Sequence, residues 1–213
     1  MRHGVKLLAS GVILLSAGIS VLGAGMPSAL AASGGRSAGV MIHGNVVPVA
    51  CVMGPDATLN KSVSLGSWSE ADFQKQGLLS IYKRLYLVAG SRREFAVTAT
   101  GCSGAGPDAG HNLMLGIDAG SPMLDFSDGL FGDSGLSEGT RAGATLAAPV
   151  TPGGQEEVLR AGDEVVMYSF KSGEGWNAAD HAVVHFSTYL AATTGGPGVG
   201  HVEAPITFSV DYK

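Results

Sequence analysis

Apolar and polar residues alternate in short runs along most of this chain, and the runs are separated by Gly, Ser, Asp and Pro. No long stretch repeats with the period of a helix, so the pattern is that of an all-β protein. It predicts strands over Gly39 to Met53, Lys61 to Leu65, Arg93 to Thr100, Asn112 to Ile117, Thr140 to Ala147, Glu164 to Phe170, Ala182 to Ala192 and Val202 to Tyr212. Their count and spacing suit a β-sandwich. Gly-rich stretches at Gly101 to Gly110, Gly129 to Gly139 and Gly195 to Gly200 read as loops, since Gly supplies the backbone angles of tight turns. Between Trp68 and Val88 the pattern is mixed: Ala71 to Gly77 reads as a short helical turn and Leu78 to Val88 as an extra strand.

The two ends of this pattern carry the most information. In the last run, Ala204 to Lys213, residues Ile206, Phe208, Val210 and Tyr212 fall on one face and Thr207, Ser209 and Asp211 on the other. Only Lys213 follows Tyr212, so no later sequence covers the far side of this strand, and an uncovered edge recruits partners. Near the start, Val40, Ile42, Gly44 and Val46 alternate with Met41, His43 and Asn45. A glycine inside such a strand marks a bulge or the close approach of another chain. Val47 and Val49 then continue on the opposite parity towards Cys51, which suggests two consecutive strands with different tasks.

Ahead of these strands lies a targeting segment. Arg2, His3 and Lys6 form a basic start, Leu7 to Leu22 is apolar, and Ala29-Leu30-Ala31 has the small-x-small cleavage pattern. Cleavage after Ala31 removes Arg2 and Lys6 and no acidic residue, leaving 182 residues with 11 basic and 18 acidic side chains. The apolar run is short and glycine-rich for a membrane anchor, and no later segment approaches a spanning length. The acidic balance and the absence of a Lys/Arg patch argue against nucleic acid as a partner. The remaining length suits one domain. Exactly one pair of cysteines, Cys51 and Cys102, is left for an oxidising compartment, and pairing is the default reading.

These residues together resemble the subunits of the chaperone–usher fimbrial family, which includes the type 1 and P pilins. The resemblance is carried by four features: GVMIHGNVVPVAC with Gly44 seven residues ahead of Cys51; the Cys51 and Cys102 pair, the second closing EFAVTATGC; the terminal strand ending at Tyr212; and Gly200, fourteenth from the end. It spans Gly39 to Lys213 and is vague over Trp68 to Val88, where the chain is longer than the usual shaft pilin. It implies an immunoglobulin-like sandwich that lacks its last strand, with an open groove along Gly200, Ile206, Phe208, Val210 and Tyr212. It divides the chain into a signal peptide (1–31), an N-terminal donor extension (32–46) and a pilin domain (47–213). Val40, Ile42, Gly44 and Val46 become the donor strand, which completes the groove of a neighbouring copy. The partners implied are a periplasmic chaperone, an outer-membrane usher and neighbouring pilin subunits. The place implied is a fimbria on the cell surface supporting adhesion, with no cofactor. The alternative is a self-complete secreted β-sandwich, a binding or coat module whose own chain covers that edge.

Fragments with a chemical look carry less. Gly132-Asp133-Ser134-Gly135 is similar to the nucleophile loop of trypsin-like proteases, but Leu136 departs from that pattern and no Ala-Ala-His-Cys segment supplies a base. His181 and His185 have helical metal-ligand spacing in a β-branched run, and on a strand they lie roughly 13 Å apart. GGPGVG, 195–200, has no Lys-Ser/Thr after it and reads as a turn. Trp68, Trp176 and Tyr189 fit a core better than a sugar platform. No catalytic or metal residue is assigned, and no enzyme activity is expected. Reducing Cys51–Cys102, which closes a loop of about 50 residues, should destabilise the domain by roughly 4 kcal/mol. Denaturant melts with and without reductant measure this, and free thiols in the folded protein would exclude the bridge.

Overall fold

The structure is a computed structural model, and it describes residues 38–45, 51–53, 60–107, 109–119, 129–133 and 140–213. The expected signal peptide, Val46 to Ala50 and Ser134 lie outside these residues. In chain order the strands are β1 (Ala38–Asn45), β2 (Val52–Met53), β3 (Asn60–Gly66), β4 (Phe73–Lys75), β5 (Tyr86–Val88), β6 (Arg93–Thr100) and β7 (Asn112–Ala119). There follow β8 (Leu130–Phe131), β9 (Ala142–Pro149), β10 (Glu156–Leu159), β11 (Glu164–Ser169), β12 (Val183–Ala192) and β13 (Val202–Tyr212). Among the described residues only 3-10 turns accompany them, at Glu70–Asp72, Ala89–Ser91 and Trp176–Ala179. One sheet runs β11-β7-β13-β1-β3; the other runs β10-β9-β12-β5-β4, with β6 and then β2 added beside β12 and β8 beside β9. The two inner faces bury one core, in which Phe186 lies 5.2 Å from Phe95 and 5.0 Å from Phe208, centroid to centroid.

The long strands follow the predicted runs because period-two alternation places one parity in that core. Phe95, Val97 and Ala99 of β6 are buried, as are Leu113, Leu115 and Ile117 of β7. Strand β9 departs from simple alternation: Ala142 to Ala148 are all buried. Both its faces are covered, and its small residues leave room for that. Its sheet neighbour β8 comes so close that no Cβ fits at Gly143, where the Phe131 carbonyl stands in the way. Cys51 and Cys102 are joined, tying the start of β2 to the end of β6, its pairing partner.

The segment between Trp68 and Val88 differs from expectation. The turn is Glu70–Asp72, closed by a capping box in which Ser69 N and Oγ both donate to Asp72 at 2.7 Å. Those bonds hold the Asp72 carboxyl below its usual range. Residues 73–75 form β4 instead of continuing a helix, and of Leu78 to Val88 only Tyr86–Val88 is strand. Residues 77–85 make successive turns, with Ser80 N donating to Gly77 O and Leu85 N to Tyr82 O. The apolar side chains are thereby sorted: Tyr82, Leu85 and Leu87 go inward and Leu78 and Leu79 outward. The inward set packs with Leu130, Ala147 and Ala191 into a second cluster on the outer face of the β9–β12 sheet. Strands β8 and β10, too short to show a pattern, are absent from the expected set.

Tyr82 anchors this layer. Its ring meets Tyr189 edge-on at 5.3 Å, its hydroxyl lies 3.4 Å from Ser187 Oγ, and Ser187 in turn donates to Glu156. Burial pushes the phenol from 10.0 up to about 12. The folded state holds this proton more tightly than the unfolded chain, so the contribution is intact below pH 10 and fades as pH rises from 10 through about 12. Tyr82→Phe should change stability at neutral pH by less than about 1 kcal/mol and flatten the loss above pH 10. Denaturant melts across that range check this, and superimposable alkaline limbs would refute it.

Candidate functional site

The site lies along β13. Val202, Ala204, Ile206, Phe208 and Val210 are buried, while Thr207, Ser209 and Asp211 face outward, as the alternation predicted. Phe208 is wedged beside Phe95 and Phe186, which anchors the strand in the core. On one side β13 pairs with β7, antiparallel, from Ile206 opposite Ala119 to Tyr212 opposite Leu113. The other side is a slot bounded by β3.

That slot is filled by the chain's own β1. The expected open edge is therefore covered, because the N-terminal strand reaches back to satisfy the backbone groups that β13 and β3 would leave unpaired. β1 runs parallel to β13, with Ala38 opposite Val202, Val40 opposite Ala204, Ile42 opposite Ile206 and Gly44 opposite Phe208. It runs antiparallel to β3, with Val40 opposite Val63 and Ile42 opposite Lys61. Val40 is fully buried in the main core, and its neighbour Met41 is 38% exposed. The glycine at position 44 stands opposite Phe208, the largest buried residue of β13. Val46, the fourth expected donor residue, lies outside the described residues.

The β13 end is pinned separately. Asn112 and Lys213 exchange two backbone hydrogen bonds, at 2.6 and 3.0 Å. Lys213 Nζ also lies 2.5 Å from Glu164, and that bond holds the ammonium above its usual range. Tyr212 shares the inward parity but is 49% exposed, because at the sheet's end no facing strand covers it. Its ring meets Trp176 edge-on at 5.6 Å, and Trp176 continues to Phe170 at 5.0 Å. Gly200, expected in the groove strand, lies in the bend just before β13. The aromatic row of Trp176 and Phe170, and β3 as the slot's second wall, were missed from sequence. Both are long-range placements without a local signal.

The family model described as "Fimbrial protein" matches residues 40–213. This chain belongs to the fimbrial protein family. No curated protein matches it. Among solved structures it is similar to the antigen and type I fimbria protein of Burkholderia pseudomallei, at 14% identity and a TM-score of 0.36, covering 83% of this chain and 92% of that one. The family match begins at Val40, so it takes in most of β1 together with both walls of the slot.

Other candidate groups of this fimbrial protein are dispersed. His181 sits in a left-handed turn before β12, 3.3 Å from Asp180, and not on the strand with His185. Among the described residues no three His, Cys, Asp or Glu side chains are grouped to hold a metal ion, and no helix is long and apolar enough to cross a membrane. Trp176 is buried and Trp68 half-buried, its indole donating to Leu65 O at 2.6 Å. Val40→Asp would place a charge opposite Ala204 and Val63, destabilising the seated strand by about 3 kcal/mol or more. Hydrogen exchange should then accelerate at least about tenfold in the β13 amides that point towards β1, with β7 amides unaffected. Unchanged exchange in β13 would show that β1 is not what protects it.

Proposed function

We propose that this fimbrial subunit is polymerised by donor-strand exchange, the slot between β13 and β3 receiving the 32–46 extension of the next copy. The observation that carries this is the seat of β1: residues 38–45 already act as the completing strand of a sheet whose two walls lie elsewhere in the chain. Strand addition of this kind draws generic affinity from main-chain hydrogen bonds and register from side-chain pockets. Val40 occupies one such pocket, and burial of a residue of its type contributes about 1.5–3 kcal/mol.

Direction supports exchange over permanent self-closure. β3 and β13 run antiparallel to one another, so any strand between them is parallel to one wall and antiparallel to the other. In the self-seated arrangement the 11-residue wall takes the parallel ladder and the 7-residue wall the antiparallel one. A strand from another copy, inserted in reverse, gives the antiparallel ladder to the longer wall, where pairing is slightly more stable per residue. The slot and extension belong to opposite ends of one chain, so the contact is head-to-tail and propagates. A periplasmic chaperone holding the slot, an outer-membrane usher, export by the 1–31 signal and display on a surface fimbria that supports adhesion complete this reading. Gly200 and Tyr212 bracket the strand on which the chaperone docks. The chain is a structural subunit and carries out no catalysis.

The self-complete module is favoured by one observation, that the same chain covers the edge. The two readings separate in a mixing experiment. A variant truncated before Val46 should melt at a higher temperature with a peptide spanning Ser37 to Ala50. It should also capture the intact chain as a salt-resistant complex. No shift with the peptide would remove the donor role. A peptide shift without capture of the intact chain would identify a closed module.

A further inference from the structure

We propose that the cleft between residues 77–85 and β10 is a second docking surface, whose occupant is the acidic outer face of the β11–β7–β13 sheet of another copy of this chain. The cleft, of about 580 Å³, is lined by Leu79, Ile81, Lys83, Arg84, Glu157 and Arg160 among others. It is a built feature, because Tyr82 and Leu85 bolt the turns of 77–85 to the cluster beneath. Arg84 holds a left-handed φ of 71°, a backbone state uncommon for a side-chain-bearing residue.

Charge and apolar exposure together select the occupant. The chain carries a net charge of −5, yet three cations meet one carboxylate in the cleft lining. Among the described residues none of those three cations is in an ion pair. Leu79 at the cleft is wholly exposed and the adjacent Leu78 is 80% exposed. Exposed apolar side chains rimmed by charge mark a protein contact rather than a seat for a small anion.

The complementary surface is on the opposite side of the sandwich. By the strand alternation Asp118 of β7 and Asp211 of β13 project from the outer face of the other sheet, beside Glu164 of β11, whose carboxylate is already paired with Lys213 Nζ. Between them lie Gly116 and Ser209, small enough to leave the face open, and the half-buried Met114 offers apolar contact. Copies of an acidic chain repel one another over most of their surfaces, and this pairing gives one orientation in which they attract. Cleft and face belong to different sheets, so the contact is heterologous and leaves a free cleft and a free face at the ends of each stack. It does not use the β1 slot, and it stands whether or not strands exchange.

Sedimentation velocity of the chain residues 32–213 at about 50 and about 500 mM NaCl tests this, since raising salt shortens the screening length severalfold. The expected result is reversible association at low salt that high salt abolishes. Lys83→Glu/Arg84→Glu should weaken it by about tenfold or more, as should Asp118→Lys/Asp211→Lys, and mixing the two variants should restore association through the swapped charges. The restoration shows that both variants are folded. Strand-exchanged species are resistant to salt and are counted apart, so failure of the proposed polymerisation leaves this test readable. Salt-insensitive association, or variants that associate like the parent chain, would overturn the proposal. So would binding of a sulfated polysaccharide that Lys83→Glu/Arg84→Glu abolishes while self-association is the same in every variant.

Discussion

The backbone of β13 on the side away from β7 dominates this structure. The strand is held in the core by Ile206, Phe208 and Val210 and cannot swing out to water. Its remaining N–H and C=O groups therefore need a partner strand, since each buried polar group left unpaired costs about 1–3 kcal/mol. β3 stands too far across to pair with it directly, and one strand fits between them. The N-terminal segment meets that need, with Val40 entering the core and Met41 facing out.

Seating β1 in this way leaves a conflict that its neighbours define. Being part of the same chain, β1 is at high effective concentration at the slot. Against that, its direction gives the longer wall the parallel ladder. A strand supplied from outside is free of this constraint on direction but must pay the entropy of association. The structure holds the self-seated arrangement, and the proposed joined one differs from it in which chain provides the eight residues of strand.

A second layer sets this fimbrial protein apart from a bare sandwich. Tyr82, Leu85 and Leu87 cover the outer face of the β9–β12 sheet, which fits a β9 made mostly of small residues and buried on both faces. Ser91 shows how closely the layer edge is fitted: its hydroxyl donates to Val88 O and accepts from Leu190 N, so a fully buried polar group is satisfied twice. Covering one face moves the exposed charge to the rim of the insertion, leaving Lys83, Arg84 and Arg160 at a cleft there and carboxylates on the far sheet.

The long strands were legible in the sequence because alternation is local: each residue's parity decides its face once a core exists, and β6, β7, β12 and β13 lie where the runs placed them. The disulfide was legible from composition, two cysteines in a chain whose start reads as a targeting signal. The turns of 77–85 were not, since LLSIYKRLYLV is apolar enough for a strand and only the packing of Tyr82, Leu85 and Leu87 on an outer face sorts its side chains. Tyr212 likewise has the right parity but stands beyond the facing sheet. Above all, the alternation at the two ends marked two strands with unfinished business. Which edge each would meet, in which direction and against which second wall depends on contacts between residues far apart in the chain, and these only the folded sandwich decides.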